Sequence, residues 1–134
     1  MVNRRMTTVT KSGGFLSYVL SDTSRNELLN LFKPQYADVI CHHVTYDFAK
    51  KGAAMPPVAH TAHVVGYADS GDGLEALVVE INGTTTRPDG KLFHITLSLD
   101  RAAKKKPFDS NNLVSKGFDH VSPFSIQVDA RQIY

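Results

Sequence analysis

Read for periodicity, most of this chain is strand. Phe15 to Leu20, set between Gly13-Gly14 and Ser21-Asp22, is an apolar run of strand length. Ser24 and Glu27 then stand at capping-box spacing, and Leu28, Leu31 and Phe32 give the following segment one apolar stripe. A short helix is expected there, stopped by Pro34 because a residue before proline avoids helical dihedrals. Asp38 to Phe48 reads as the second strand, and residues 49–57, ending in Pro56-Pro57, as a loop. Val58 to Asp69 and Leu74 to Ile81 form an expected hairpin about Ser70-Gly71-Asp72-Gly73. Asn82-Gly83 and Pro88-Asp89-Gly90 punctuate the next loop, and Leu92 to Leu99 is a further strand. Residues 101–107 are a basic loop or short helical turn, Asn111 to Val114 a short helix capped by Asp109 or Ser110, and Val121 to Ala130 the closing strand. Many strands with few helices predict an α+β domain.

Two of these strands share a polar pattern. Successive strand residues point to opposite faces, so His94, Thr96 and Ser98 should line one side and Phe93, Ile95, Leu97 and Leu99 the other. Upstream, His43 and Thr45 stand opposite Val44, Tyr46 and Phe48 in the same way. The two His-x-Thr strands lie 51 positions apart, each preceded by its own supersecondary unit, which suggests two similar lobes facing each other.

Composition adds limits rather than a function. At 134 residues, 42% hydrophobic and 21% charged, the chain has the balance of one ordinary globular domain, expected over residues 15–134 after a flexible lead-in over 1–14. A net charge of +2 and a pI near 8.7 suit a phosphate-bearing ligand without requiring one. With one cysteine there is no internal disulfide, no apolar run reaches the ~20 residues that span a bilayer, and no apolar region follows Arg4-Arg5 as a leader would need. The expectation is a cytoplasmic protein without a membrane partner.

Histidine is the side chain whose ordinary pKa, ~6.5, lets it donate or accept a proton near neutrality. Two such groups form the acid and base that phosphodiester cleavage needs on opposite sides of phosphorus. Thr45 and Thr96, two residues after His43 and His94, can each hydrogen-bond a non-bridging phosphate oxygen. Neither metal nor cofactor is required by this scheme. On these paired motifs, together with the runs Gly73-Leu74-Glu75-Ala76-Leu77-Val78-Val79 and Ser110-Asn111-Asn112-Leu113, the chain resembles the two-histidine (2H) phosphoesterases between about Phe15 and Val128. That superfamily includes LigT-like RNA phosphodiesterases and the cyclic phosphodiesterase domain of fungal tRNA ligases.

The resemblance implies a bilobal sheet fold with His43 and His94 facing each other across a cleft, catalytic with Thr45 and Thr96. It implies metal-independent action on 2′,3′-cyclic phosphates, 2′-5′ linkages or other nucleotide phosphodiesters. An alternative branch, found in phages, degrades the cyclic oligonucleotide signals of CBASS defence in the host cytoplasm. Expected substrate contacts are Ser98, Tyr67, Lys104 and Asn111.

Three rival readings rest on other residues. His60 and His63 invite a metal, but positions three apart on a strand face opposite ways. Cys41 and His43 share a face of a regular strand, which raises a nucleophilic pair, although a buried inert cysteine accounts for Cys41 more simply. Lys104, Lys105 and Lys106 could serve a non-catalytic RNA-binding domain, which would leave the matched histidines unexplained.

Overall fold

Ser21 ends one element and starts the next. The strand before it is β1 (Phe15–Leu20), and its hydroxyl accepts the Ser24 amide at 3.1 Å to cap helix α1 (Asp22–Phe32). The cap thus lies three residues before the one that the Ser24–Glu27 spacing predicts. Ser24 instead sits buried in the first turn, where its Oγ accepts the Gln127 amide at 2.7 Å and ties the helix to the C-terminal strand. Leu28 is fully buried and Phe32 packs beside the core, whereas Leu31 faces solvent. The structure, a computed structural model, describes residues 8, 9 and 11–134. The flexible lead-in expected over 1–14 therefore falls partly outside the described residues. Within them Val9 is buried against Leu16 and Ala49, and its amide donates to the Ala53 carbonyl at 2.8 Å.

The chain continues through β2 (Asp38–Val39), β3 (His43–Phe48), β4 (Thr61–Asp69), β5 (Leu74–Glu80), β6 (His94–Leu99), helix α2 (Ser110–Ser115) and β7 (Asp119–Ile133). Among the described residues it is a mixed α+β fold: seven antiparallel strands in the order β2-β6-β5-β4-β7-β1-β3, with two α-helices. Strand β7 is long enough to serve two neighbours, since residues 119–127 pair with β4 and 128–133 with β1.

The expected single strand over Asp38–Phe48 is cut in two by Cys41, whose φ of 44° lies in the left-handed region. Before the kink the chain runs along β6, with the Ile40 and Cys41 amides donating to the Leu97 and Thr96 carbonyls at 3.0 and 2.9 Å. After it, β3 pairs with β1. One stretch therefore touches both outer edges of the sheet, and the kink draws His43 toward the strand that carries His94.

Strands β5 and β6 are buried on both faces. Leu77, Val79, Ile95 and Leu97 join Tyr18, Leu28, Val44 and Ile126 in the main core, while Ala76 and Val78 pack on the other face against Val114 of α2. Each fully buried leucine of this kind contributes roughly 1.5–3 kcal/mol. The polar face of β6 is accordingly covered by α2 over much of its length rather than open. Among the described residues no helix is long and apolar enough to cross a membrane.

Two register shifts decide which side chains reach which face. Thr96 stands opposite Ala76 and Ser98 opposite Glu75, so β6 carries one extra residue there. A bulge of this kind inverts the alternation, and Ser98 leaves the face of His94 and Thr96. In β3, Thr45 stands opposite Ser17 but Asp47 opposite Leu16, again one residue extra. Phe48 consequently stands opposite Phe15.

Candidate active site

A cleft of about 350 Å³ opens between the two His-x-Thr strands. One wall is Phe15 of β1, His43, Thr45, Asp47 and Phe48 of β3, and Ile133 and Tyr134 at the C-terminal end. The opposite wall is Arg87 and Lys91 from the loop before β6, His94 of β6, and Pro107, Phe108 and Asn111 from the segment that leads into α2. Each wall supplies one histidine.

His94 is buried, and its Nδ1 lies 3.0 Å from the Leu92 carbonyl oxygen. A carbonyl can only accept, so Nδ1 carries the proton and Nε2 is the nitrogen left free. Burial holds its pKa below the ordinary histidine value; the Leu92 bond works against that shift, the Arg87 guanidinium adds to it and Asp89 opposes it. On the other wall His43 is pushed down to about 4, by burial first and then by repulsion from His42 and His94. Its Nδ1 is 3.0 Å from Nδ1 of His42, which is exposed.

The two threonines are placed differently. Thr45 lines the cleft with His43. Thr96 is buried under the segment before α2, where its Oγ1 lies 2.9 Å from Ser110 Oγ and donates to the Pro107 carbonyl at 3.4 Å. Asn111 lies on the cleft wall: its Nδ2 donates to the Phe108 carbonyl at 3.0 Å and its Oδ1 accepts Arg87 Nη1 at 3.4 Å.

Three other expected contacts stand elsewhere. Ser98, displaced by the bulge, is fully buried and donates to Glu75 Oε2, while its oxygen accepts the Tyr36 amide at 3.2 Å. Tyr67 donates to Glu75 Oε1 at 2.6 Å and stacks on Phe32 at 5.9 Å between centroids. Both belong to a buried network around Glu75 that also holds the Gln35 amide. Lys104 sits on the exposed turn after β6, beside Arg101, Lys105 and Lys106 on a separate surface, and Lys105 pairs with Asp72 at 3.0 Å.

Cys41 is fully buried and its thiol is pushed up to about 11 by burial, against the opposing pull of Arg25, so it is the inert cysteine of the simpler reading. The kink at Cys41 also removes the regular strand on which a Cys-His pair depended. Among the described residues no group of three or more His, Cys, Asp or Glu side chains is placed to hold a metal ion.

The cleft also contains residues that the strand pattern does not single out. Arg87 is 9% exposed, paired with Asp89 at 2.7 Å, and its buried Nε has no protein partner among the described residues. A tight turn places it: the Arg87 amide donates to the Lys91 carbonyl at 2.7 Å and the Lys91 amide to Asp89 Oδ1 at 3.0 Å. The Pro88-Asp89-Gly90 signal marked that turn, and the cations at its two ends were the clue to the site. Phe15, Phe48, Phe108 and Tyr134, all at least 40% exposed, ring the mouth. The strand pattern places Phe48 on the core face, because the bulge that turns it outward leaves no mark in the sequence.

No family model matches this chain, and no curated protein or solved structure matches it either.

Proposed function

We propose that the chain is a phosphodiesterase that hydrolyses nucleotide or RNA-end phosphodiesters, such as 2′,3′-cyclic phosphates, by acid–base catalysis between His43 and His94. The observation that carries this reading is the meeting of the two histidines, one from each wall of one cleft, beside the cations Arg87 and Lys91. Two imidazoles suffice for the proton transfers, and no metal enters the scheme. The double pairing of β7, with β4 in its first half and β1 in its second, supports the bilobal arrangement of the 2H phosphoesterases.

The roles follow from the surroundings of each ring. His94 donates its Nδ1 proton to Leu92, so its neutral form presents a bare Nε2, and its lowered pKa keeps that form dominant at pH 7. It is the base: Nε2 takes a proton from water as the water oxygen attacks phosphorus. That leaves His43, which lines the same cleft, as the acid that protonates the leaving oxygen, a task its lowered pKa does not by itself favour. Thr45, Asn111, Arg87 and Lys91 are the donors available to the non-bridging oxygens as charge develops.

A second reading of the substrate rests on the exposed aromatics. Phe15, Phe48 and Tyr134 stand on the His43 wall and Phe108 on the other, which suits a base on each side of the scissile linkage. A 2′-5′ linkage or a cyclic oligonucleotide of the CBASS type has that form. The test is turnover, in EDTA, of 2′,3′-cyclic nucleotides, 2′-5′ oligoadenylate and cyclic dinucleotides by the wild type, His43→Ala and His94→Ala. Each substitution should lower kcat by about 10²–10⁴-fold. A wild type inert toward the whole panel, or turnover surviving both substitutions, sinks the assignment.

A further inference from the structure

Neighbouring strand residues point to opposite faces, yet His42 and His43 face each other. Their Nδ1 atoms are 3.0 Å apart, and the rings meet edge to face at 5.2 Å and 77°. The left-handed turn at Cys41 immediately before releases His42 from strand geometry, and the Leu20 amide fixes its carbonyl at 3.0 Å. The acid–base scheme leaves this second imidazole without a task and leaves the acid with a difficulty. A ring held in a cleft among Arg87, Lys91 and His94 is a poor place to store a positive charge.

A hydrogen bond between two Nδ1 atoms requires a proton on one and a lone pair on the other. His42 is exposed, so water supports an imidazolium there, whereas His43 is largely withdrawn from water. The charged groups around the pair come from every neighbouring element. They are Asp47 on β3, His94 on β6, Arg87, Asp89 and Lys91 on the loop before it, and Arg25 of α1, which donates to the Ile40 and Cys41 carbonyls. Beyond β1 lies the Asp129–Arg131 pair of β7. Cations outnumber carboxylates in this set, which further favours keeping the charge on the outer ring.

We propose that His42 is a positioning residue that stores the proton His43 delivers. As an imidazolium it donates its Nδ1–H to Nδ1 of His43, which fixes His43 as the Nε2–H tautomer with Nε2 left for the cleft. In the chemical step the phosphorus–oxygen bond breaks with its electron pair on the leaving oxygen, and that oxygen takes the proton from His43 Nε2. The His42 Nδ1 proton passes to His43 Nδ1, and both rings end neutral. Solvent then recharges the exposed ring. This inference rests on the phosphodiesterase reading and extends it to a residue outside the His-x-Thr motif.

The experiment compares the wild type with His42→Ala and His42→Gln by two readouts. The first is the pH profile of kcat/KM on 2′,3′-cyclic AMP and on cyclic di-AMP. A general acid must be protonated, so activity falls above its pKa. With His42 gone the acid is His43 alone, still lowered by burial, and the alkaline limb should move down by at least one pH unit, about tenfold in rate at pH 7.5. Added imidazole should restore part of the loss in His42→Ala. The second readout needs no turnover: ¹⁵N-histidine NMR from pH 4 to 8 should show the His43 titration moving to higher pH in His42→Ala, where the repulsion from His42 is gone. Superimposable alkaline limbs, or an unchanged His43 titration, overturn the assignment. A wild type inert on every phosphodiester counts instead against the phosphodiesterase reading, while the NMR titration still decides the pairing.

Discussion

Ser98→Ala separates a buried structural role from a substrate contact. The substitution removes one hydroxyl from a network in which Glu75 accepts from Ser98, from Tyr67 at 2.6 Å and from the Gln35 amide at 2.6 Å. Glu75 keeps two of these three donors, so its loss is partial. The Tyr36 amide, 3.2 Å from the serine oxygen, loses an acceptor at a part-buried site. A broken hydrogen bond and an orphaned part-buried donor cost about 1 kcal/mol each, giving about 2 kcal/mol in all. For a domain of this size that is a fall of roughly 6–10 °C in Tm. Urea unfolding should show a lower midpoint at unchanged slope, since the surface exposed on unfolding is the same. At 25 °C kcat/KM per folded molecule should stay within twofold, because the bulge opposite Glu75 turns Ser98 away from His94. Wild-type stability combined with a tenfold loss of kcat/KM would refute the register argument.

The threonines give a sharper pair of outcomes, since Thr45 lines the cleft and Thr96 bonds Ser110 beneath it. Thr45→Ala should cost 10- to 100-fold in kcat/KM and less than about 0.5 kcal/mol in stability, whereas Thr96→Val should cost about 1–2 kcal/mol in urea unfolding and little activity; the reverse pattern defeats the placement. The pH dependence of stability tests the burial of His43. The folded state holds it neutral down to about pH 4 and the unfolded chain takes up its proton near 6.5, so stability should fall by of order 2 kcal/mol as pH drops across that window. His43→Gln should remove that share of the slope, and a slope unaltered in the variant would contradict it.

Period-two patterning was enough to read most of the sheet, because alternation follows directly from the pleat. Strand β1 matches its expected range, and β4 to β7 differ from theirs only at the ends. The histidines could be paired from sequence because each repeats one short pattern above apolar neighbours. What escaped was every feature set by register. A bulge adds a residue without altering the local pattern, so Ser98 reads as a neighbour of Thr96 and Phe48 as a neighbour of Val44, although both are turned away. The split at Cys41 escaped for a related reason, as a non-glycine residue with φ of 44° carries no glycine to announce the turn. The cover over Thr96 and the cations beside His94 depend on how α2 and the Arg87–Lys91 turn pack, which no local period encodes.

Equal motifs do not produce equal sites. His94 lies on a strand buried on both faces, its Nδ1 committed to a backbone carbonyl two residues away, so nothing but Nε2 is free to act. His43 lies on the last strand of the sheet order, its Nδ1 committed to another imidazole that water can charge. The first arrangement favours a neutral ring with a lone pair in the cleft, and the second favours a ring backed by a proton. Burial pushes both rings below the ordinary histidine value, so their pKa shifts alone do not set them to opposite duties. In the proposed reaction the asymmetry therefore originates in the partner of each Nδ1. The fold sets both partners: the turn at Cys41 brings His42 round to His43, and the chain entering β6 returns the Leu92 carbonyl to His94. Interchange of the two roles would require both Nδ1 contacts to be broken, which makes the Nδ1 contacts rather than the His-x-Thr motif the determinants of direction.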